Sequence, residues 1–196
     1  MKNAILIGIL VFVSASAVSL LVSKPAPHAD LPQYTNGDEL VLPQDYREWV
    51  FISSGFRLSN NASPTDGATF MNVFVNPSAY KQFLTSGNWP NNTILVEEKR
   101  KSLNEGPVNK TGQFQSELVG IAVKVKDPAR FPDQWAYYSF DSSAKTAHAN
   151  SKAACWQCHH EHGGVDSTYV QFYPTLKPVA QKFGTLHGAG TGAEAY

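Results

Sequence analysis

Gln134-Trp135-Ala136-Tyr137-Tyr138-Ser139-Phe140-Asp141, followed by the alanine-rich residues 143–154 and then Cys155-Trp156-Gln157-Cys158-His159, is where the chain changes its period. Residues 134–141 are aromatic and alternate, which suits a pleated, half-buried strand. Residues 143–154 carry no glycine or proline, which is helix composition leading straight into the cysteines. Upstream, strands are expected over 46–52, 69–75 and 93–101, and one long strand or a pair of shorter ones over 112–126. Between the second and third of these lies one short helix, with Asn76 as N-cap, Pro77 at the first position, Tyr80, Phe83 and Leu84 at helical spacing and Gly87 past the end. Residues 31–43 are polar and turn-rich, and a short helix is expected after Pro174. Strands with one inserted helix, then helices, predict an α+β fold: a mainly antiparallel sheet of about five strands with flanking helices.

The 196 residues carry 16 basic and 16 acidic side chains, 42% hydrophobic residues and two cysteines. No basic block is longer than Lys99-Arg100-Lys101, so the stripe that nucleic-acid binding needs is missing and no nucleic-acid partner is expected. Two cysteines are too few to staple a small secreted scaffold, and the chain is long enough to bury a core without them. Lys2 precedes an unbroken apolar run from Ala4 to Val13 and the small residues Ser14-Ala15-Ser16-Ala17. Residues 1–29 are therefore expected to be an export signal with a linker, or an uncleaved membrane anchor, since apolar character resumes from Val18 to Val22. Their removal takes Lys2 and Lys24 and no acid, leaving a net charge of −2. The expected folded domain is 30–185, placed in the periplasm, with a mobile tail at 186–196.

Cys155-Trp156-Gln157-Cys158-His159 matches C-x-x-C-H, the pattern for covalent haem attachment. Two thiols one helical turn apart can each add to a vinyl group of one porphyrin, and the next residue sets an imidazole under the iron. Cys155 and Cys158 are thus expected to hold a single haem c, with His159 as the axial iron ligand. A disulfide between the two thiols, a thioredoxin-like redox pair and a zinc site using His160 or His162 are the alternatives. The first closes too small a loop to stabilise much, the second belongs at the start of a helix after an early strand, and the third normally draws ligands from a second loop.

The chain resembles the cytochrome P-460 family, which includes the cytochromes c′-beta. The resemblance spans residues 40–176 and rests on Tyr46-Arg47-Glu48-Trp49-Val50, on Asn72-Val73-Phe74-Val75-Asn76-Pro77-Ser78-Ala79-Tyr80, on Val125-Lys126-Asp127-Pro128-Ala129-Arg130-Phe131-Pro132 and, most specifically, on the haem motif followed by Val165-Asp166-Ser167-Thr168-Tyr169-Val170-Gln171-Phe172-Tyr173-Pro174. It implies a homodimer carrying one five-coordinate c-type haem with an open distal face. Family members either oxidise hydroxylamine, with a lysine bonded to the porphyrin, or bind nitric oxide or carbon monoxide in an apolar pocket. Here the lysine position is Glu97, the distal arginine position is Met71 and the pocket glutamate position is Ala122, with Lys99 two residues beyond Glu97. Alternation on the faces that the family turns to the haem gives a distal pocket of Met71, Val73, Leu95, Glu97, Gly120 and Ala122.

That pocket favours small uncharged ligands such as nitric oxide. Glu97 is either an edge residue paired with Lys99 or Lys101, or a proton-transfer carboxyl for a hydroxylamine or nitric oxide oxidoreductase that works with a redox partner protein. Met71 is either a lining residue or a second axial ligand, and in the latter case the protein is an electron carrier.

Overall fold

The computed structural model describes residues 30–59 and 67–187. The expected export segment or anchor at 1–29 and the tail beyond His187 lie outside the described residues. Among the described residues no helix is long and apolar enough to cross a membrane.

Strands β1 (Tyr34–Thr35) and β2 (Glu39–Val41) form a hairpin, and β3 (Val50–Phe56), β4 (Thr69–Val75), helix α1 (Pro77–Ser86), β5 (Ile94–Leu103), β6 (Phe114–Lys126) and β7 (Trp135–Phe140) follow. Strand β8 (Thr146–Ala147), helix α2 (Lys152–His162), a 3-10 turn at Val170–Phe172 and helix α3 (Lys177–Phe183) follow among the described residues. Strands β3 to β7 make one five-stranded antiparallel sheet in chain order, and β1, β2 and β8 make a small second sheet. The architecture is the expected α+β.

Three stretches differ from expectation. Within the turn-rich 31–43, Asn36 and Gly37 at φ 43° and 84° close the β1–β2 hairpin, because Leu40 and Leu42 are the apolar residues that need burying. Over 46–52 the strand begins only at Val50, after a single 3-10 turn at Tyr46–Glu48. The helix expected at 143–154 begins only at Lys152 and runs through the cysteine motif. The Oδ1 of Asp141 accepts bonds from Ser143 N, Ser143 Oγ and Ala144 N, each 2.8 Å, which turns the chain, and Ala147 then pairs with Leu40. The helix preference of alanine is worth under about 1 kcal/mol per residue, so a side-chain-closed turn and a strand pairing override it.

Helix α1 keeps its expected bounds and ends on Gly87 at φ 70°. Asn76, fully buried, does not cap it by side chain. Its Oδ1 accepts from Ile94 N at 2.8 Å and its Nδ2 donates to Asp30 O and Asn92 O, which ties the helix start to β5. The Oδ2 of Asp30 takes the capping role at Ser78 N, at 2.6 Å. At the other end, Leu186 packs on the core and His187 N bonds Gly164 O, so the folded body continues to His187.

Both faces of the five-stranded sheet are covered. Ile94, Val96, Val123 and Tyr138 face the small sheet, whereas Val73, Val75, Leu95 and Tyr137 face α1, α3 and the segment after α2. On the first face Glu98, 3% exposed, accepts from Tyr46 Oη at 2.7 Å, Arg47 Nε at 2.8 Å and Arg100 Nε at 2.8 Å. Burial pushes its pKa up, but the donors on Arg100, Tyr46 and Arg47 outweigh burial and hold the carboxyl at about 2.

Because that value is depressed, Glu98 contributes stability that is complete above its ordinary 4.5 and is lost as pH falls through about 2. Glu98→Gln should lower the unfolding free energy at pH 7 by about 3 kcal/mol, since it leaves two guanidinium groups facing a neutral side chain. Urea melts at pH 7 and pH 3 should show the gap between variant and parent shrinking at the lower pH.

Candidate functional site

Helix α2 has two stripes. Lys152, Trp156 and His160 form an outer ladder, with the Lys152 Nζ 4.2 Å over the Trp156 ring and the His160 ring stacked on it at 4.4 Å and 12°. Cys155, Cys158 and His159 lie on the other side. Both thiols are free; Asn150 Nδ2 approaches Cys155 Sγ at 3.7 Å and Tyr169 Oη approaches Cys158 Sγ at 3.3 Å. The His159 ring sits between those of Tyr137 and Tyr169, at 4.9 and 4.5 Å.

Cys155 and His159 face a cavity whose other wall is the sheet, whereas Cys158 does not line it and lies against Tyr169. Strand register sorts that wall into rows: Val75, Leu95, Lys124 and Tyr137; then Val73, Glu97, Ala122 and Ser139; then Met71, Lys99 and Gly120. Of the expected pocket, Val73, Leu95, Glu97 and Ala122 line the cavity together with Cys155 and His159. Met71 and Gly120 share the face but lie one row further out. His162 is exposed at the end of α2, and among the described residues no group of three His, Cys, Asp or Glu side chains is placed to hold a metal ion by itself.

What aims His159 is the turn that follows the helix. Asp166 and Ser167 adopt φ 47° and 57°, both left-handed, so Val165 and Thr168 bond to each other across a tight turn. Four side-chain hydrogen bonds pin this turn. Asp166 accepts from Lys126 Nζ at 2.5 Å and from Trp135 Nε1 at 3.2 Å, and Thr168 Oγ1 accepts from Trp89 Nε1 at 2.8 Å while donating to Val165 O at 2.6 Å. The carbonyl of Ser167 is thereby presented to His159 Nδ1 at 3.3 Å. A carbonyl can only accept, so Nδ1 carries the proton and Nε2 keeps its lone pair. Gly163 permits the approach: a Cβ there would lie 2.5 Å from His159 O and 2.7 Å from Ser167 Cα.

Burial, reinforced by the Lys124 charge, lowers the pKa of His159 to about 4, so the imidazole stays neutral. Lys124 is itself buried and held well below its ordinary value, mainly by desolvation, with Asp166 opposing and Lys126 adding to the shift. Its Nζ donates to Ser167 O and stands over the Trp135 and Tyr137 rings at 4.2 and 5.0 Å. Burial raises the pKa of Glu97 and Lys99 pulls it partly back.

These residues suit a haem. The wall is largely apolar, a neutral imidazole has one free nitrogen, two thiols share a helix face, and the buried Tyr137 hydroxyl has no hydrogen-bond partner among the described residues. The family model for cytochrome P460 matches residues 43–170. The chain belongs to the cytochrome P460 family. Membership implies a haem c protein and covers every strand of the large sheet, α2 and the pinned turn. No curated protein matches the chain at a significant level.

Sequence reasoning missed Lys124, Tyr137 and Ser139. Extending the alternation from Gly120 and Ala122 by one more step reaches Lys124, so that signal was present. Ser167 acts through its backbone and has no side-chain signature. Gly163→Ala should destabilise the protein by about 1 to 3 kcal/mol, because the clashing atoms are backbone and must move. Chemical denaturation measures this, and an unchanged midpoint would refute the close packing of turn on helix.

Proposed function

We propose that the protein is an exported monohaem c-type cytochrome that binds a small uncharged ligand such as nitric oxide. The observation that carries this reading is the neutral His159, fixed through Nδ1 by Ser167 O and set in the wall of a mainly apolar cavity. Cys155 and Cys158 would hold the group through thioether links to its two vinyl substituents. His159 Nε2 would ligate the iron of haem c, and that iron would supply the site at which a small ligand binds. Val73, Leu95 and Ala122 would give that site its apolar wall, and Tyr137 and Tyr169 flank the imidazole ring. The periplasmic assignment rests on Lys2 and the apolar run 4–13, the homodimer and a redox partner protein on family analogy.

Glu97 supports a second reading, an oxidoreductase acting on hydroxylamine or nitric oxide. Its carboxyl is in the cavity wall with a raised pKa, as a proton-transfer group requires. The electron-carrier reading needs Met71 on the iron, and Met71 lies a row beyond the wall.

The purified protein should retain its haem on a denaturing gel, and Cys155→Ala with Cys158→Ala should abolish this. The ferrous spectrum should change on adding carbon monoxide; a low-spin spectrum indifferent to it overturns the ligand-binding reading. Turnover of hydroxylamine with an electron acceptor, reduced at least tenfold in Glu97→Gln, would establish the enzyme instead.

A further inference from the structure

One buried amine has no task in the proposed mechanism. Lys124 is 7% exposed, and lysine is almost never buried without a reason. Anchoring β6 to the turn is not that reason. Lys126, one strand period further along, already does so through Asp166 at 2.5 Å and Trp89 O at 2.9 Å. Lys124 instead places its Nζ on the same Ser167 carbonyl that accepts from His159 Nδ1, and the Trp135 and Tyr137 rings confine it there.

Two donors on one carbonyl oxygen compete. The oxygen has two lone pairs, and density withdrawn by one donor weakens it as acceptor for the other. A weaker pull on the Nδ1 proton leaves the imidazole less imidazolate-like, and so a poorer electron donor through Nε2. We propose that Lys124 is a positioning residue which acts through Ser167 O on His159, weakening the axial ligand and favouring ferrous over ferric iron. This rests on the haem reading above.

The test uses the full-length haem-loaded protein, first checked for gel-retained haem; wild type without it refutes the haem reading and not this one. Midpoint potential and the ferrous Fe–His stretching frequency are then compared in wild type, Lys124→Met and Lys124→Arg. Lys124→Met should raise the ferric-to-ferrous ratio at fixed potential about tenfold, which is ~59 mV for a one-electron couple, and should raise the Fe–His frequency. Lys124→Arg should return both toward wild type. An unmoved Fe–His frequency overturns the proposal even if the potential falls, because a through-space charge would change the potential alone. If Lys124→Met yields no haem-loaded protein, Lys124→Gln is measured in the same way. A smaller shift of both quantities in the same direction supports the proposal, and no shift overturns it.

Discussion

The site depends on the anchoring of one tight turn, Val165 to Thr168, to the end of the large sheet. Two successive non-glycine residues in the left-handed region cost roughly 1–2 kcal/mol each, so the turn persists only because its surroundings over-determine it. The determinants come from three separate places: Trp89 just before β5, Lys126 at the end of β6 and Trp135 at the start of β7. Helix α2 by contrast buries no residue fully. Its inner stripe is located by Gly163 lying against the Ser167 backbone and by Gln171, whose side chain donates to His162 O at 2.7 Å and accepts from Gly164 N at 2.9 Å. The cysteine-bearing helix is thus carried by the turn, and the turn by the sheet.

The sheet separates two neighbouring carboxylates into opposite chemistries. Glu97 and Glu98 are adjacent in β5, so alternation sends them to opposite faces. Glu98 meets a phenol and two guanidinium groups and is fixed as an anion that holds the Tyr46 turn to the sheet. Glu97 meets the cavity, where desolvation disfavours its charge and Lys99 offsets only part of that cost. A slip of one residue in β5 would exchange them, placing an ion network in the cavity and an unpaired carboxyl in the core. The apolar partners Ile94, Val96 and Leu95 prevent the slip, since each is buried on its own face.

Legibility followed the range of the interaction. The large sheet and α1 were readable because alternation and punctuation by Asn76, Pro77 and Gly87 are local. The C-x-x-C-H spacing and the cavity face of Val73, Leu95, Glu97 and Ala122 were readable for the same reason. What failed was the stretch 143–154, where helical composition yielded to Asp141 closing a turn and to Leu40, about a hundred residues away in sequence, pairing with Ala147. The Ser167 carbonyl could not be read at all, since any residue supplies one and only the fold aims it.

The same reasoning sets a limit on what the five-residue motif determines. On the proposed reading Cys155, Cys158 and His159 specify attachment and an iron ligand, but the imidazole Nδ1 is held by the carbonyl of Ser167, eight residues on, and the same carbonyl accepts from Lys124, on another element. Helical geometry fixes where His159 Cα lies; it does not fix which ring nitrogen holds the proton, because that depends on a partner outside the helix. Chains with the same motif and a different turn would present the same ligand atom with different basicity. On the proposed haem reading, the electronic character of the iron site would be a property of β6 and the pinned turn, while the motif accounts for its location.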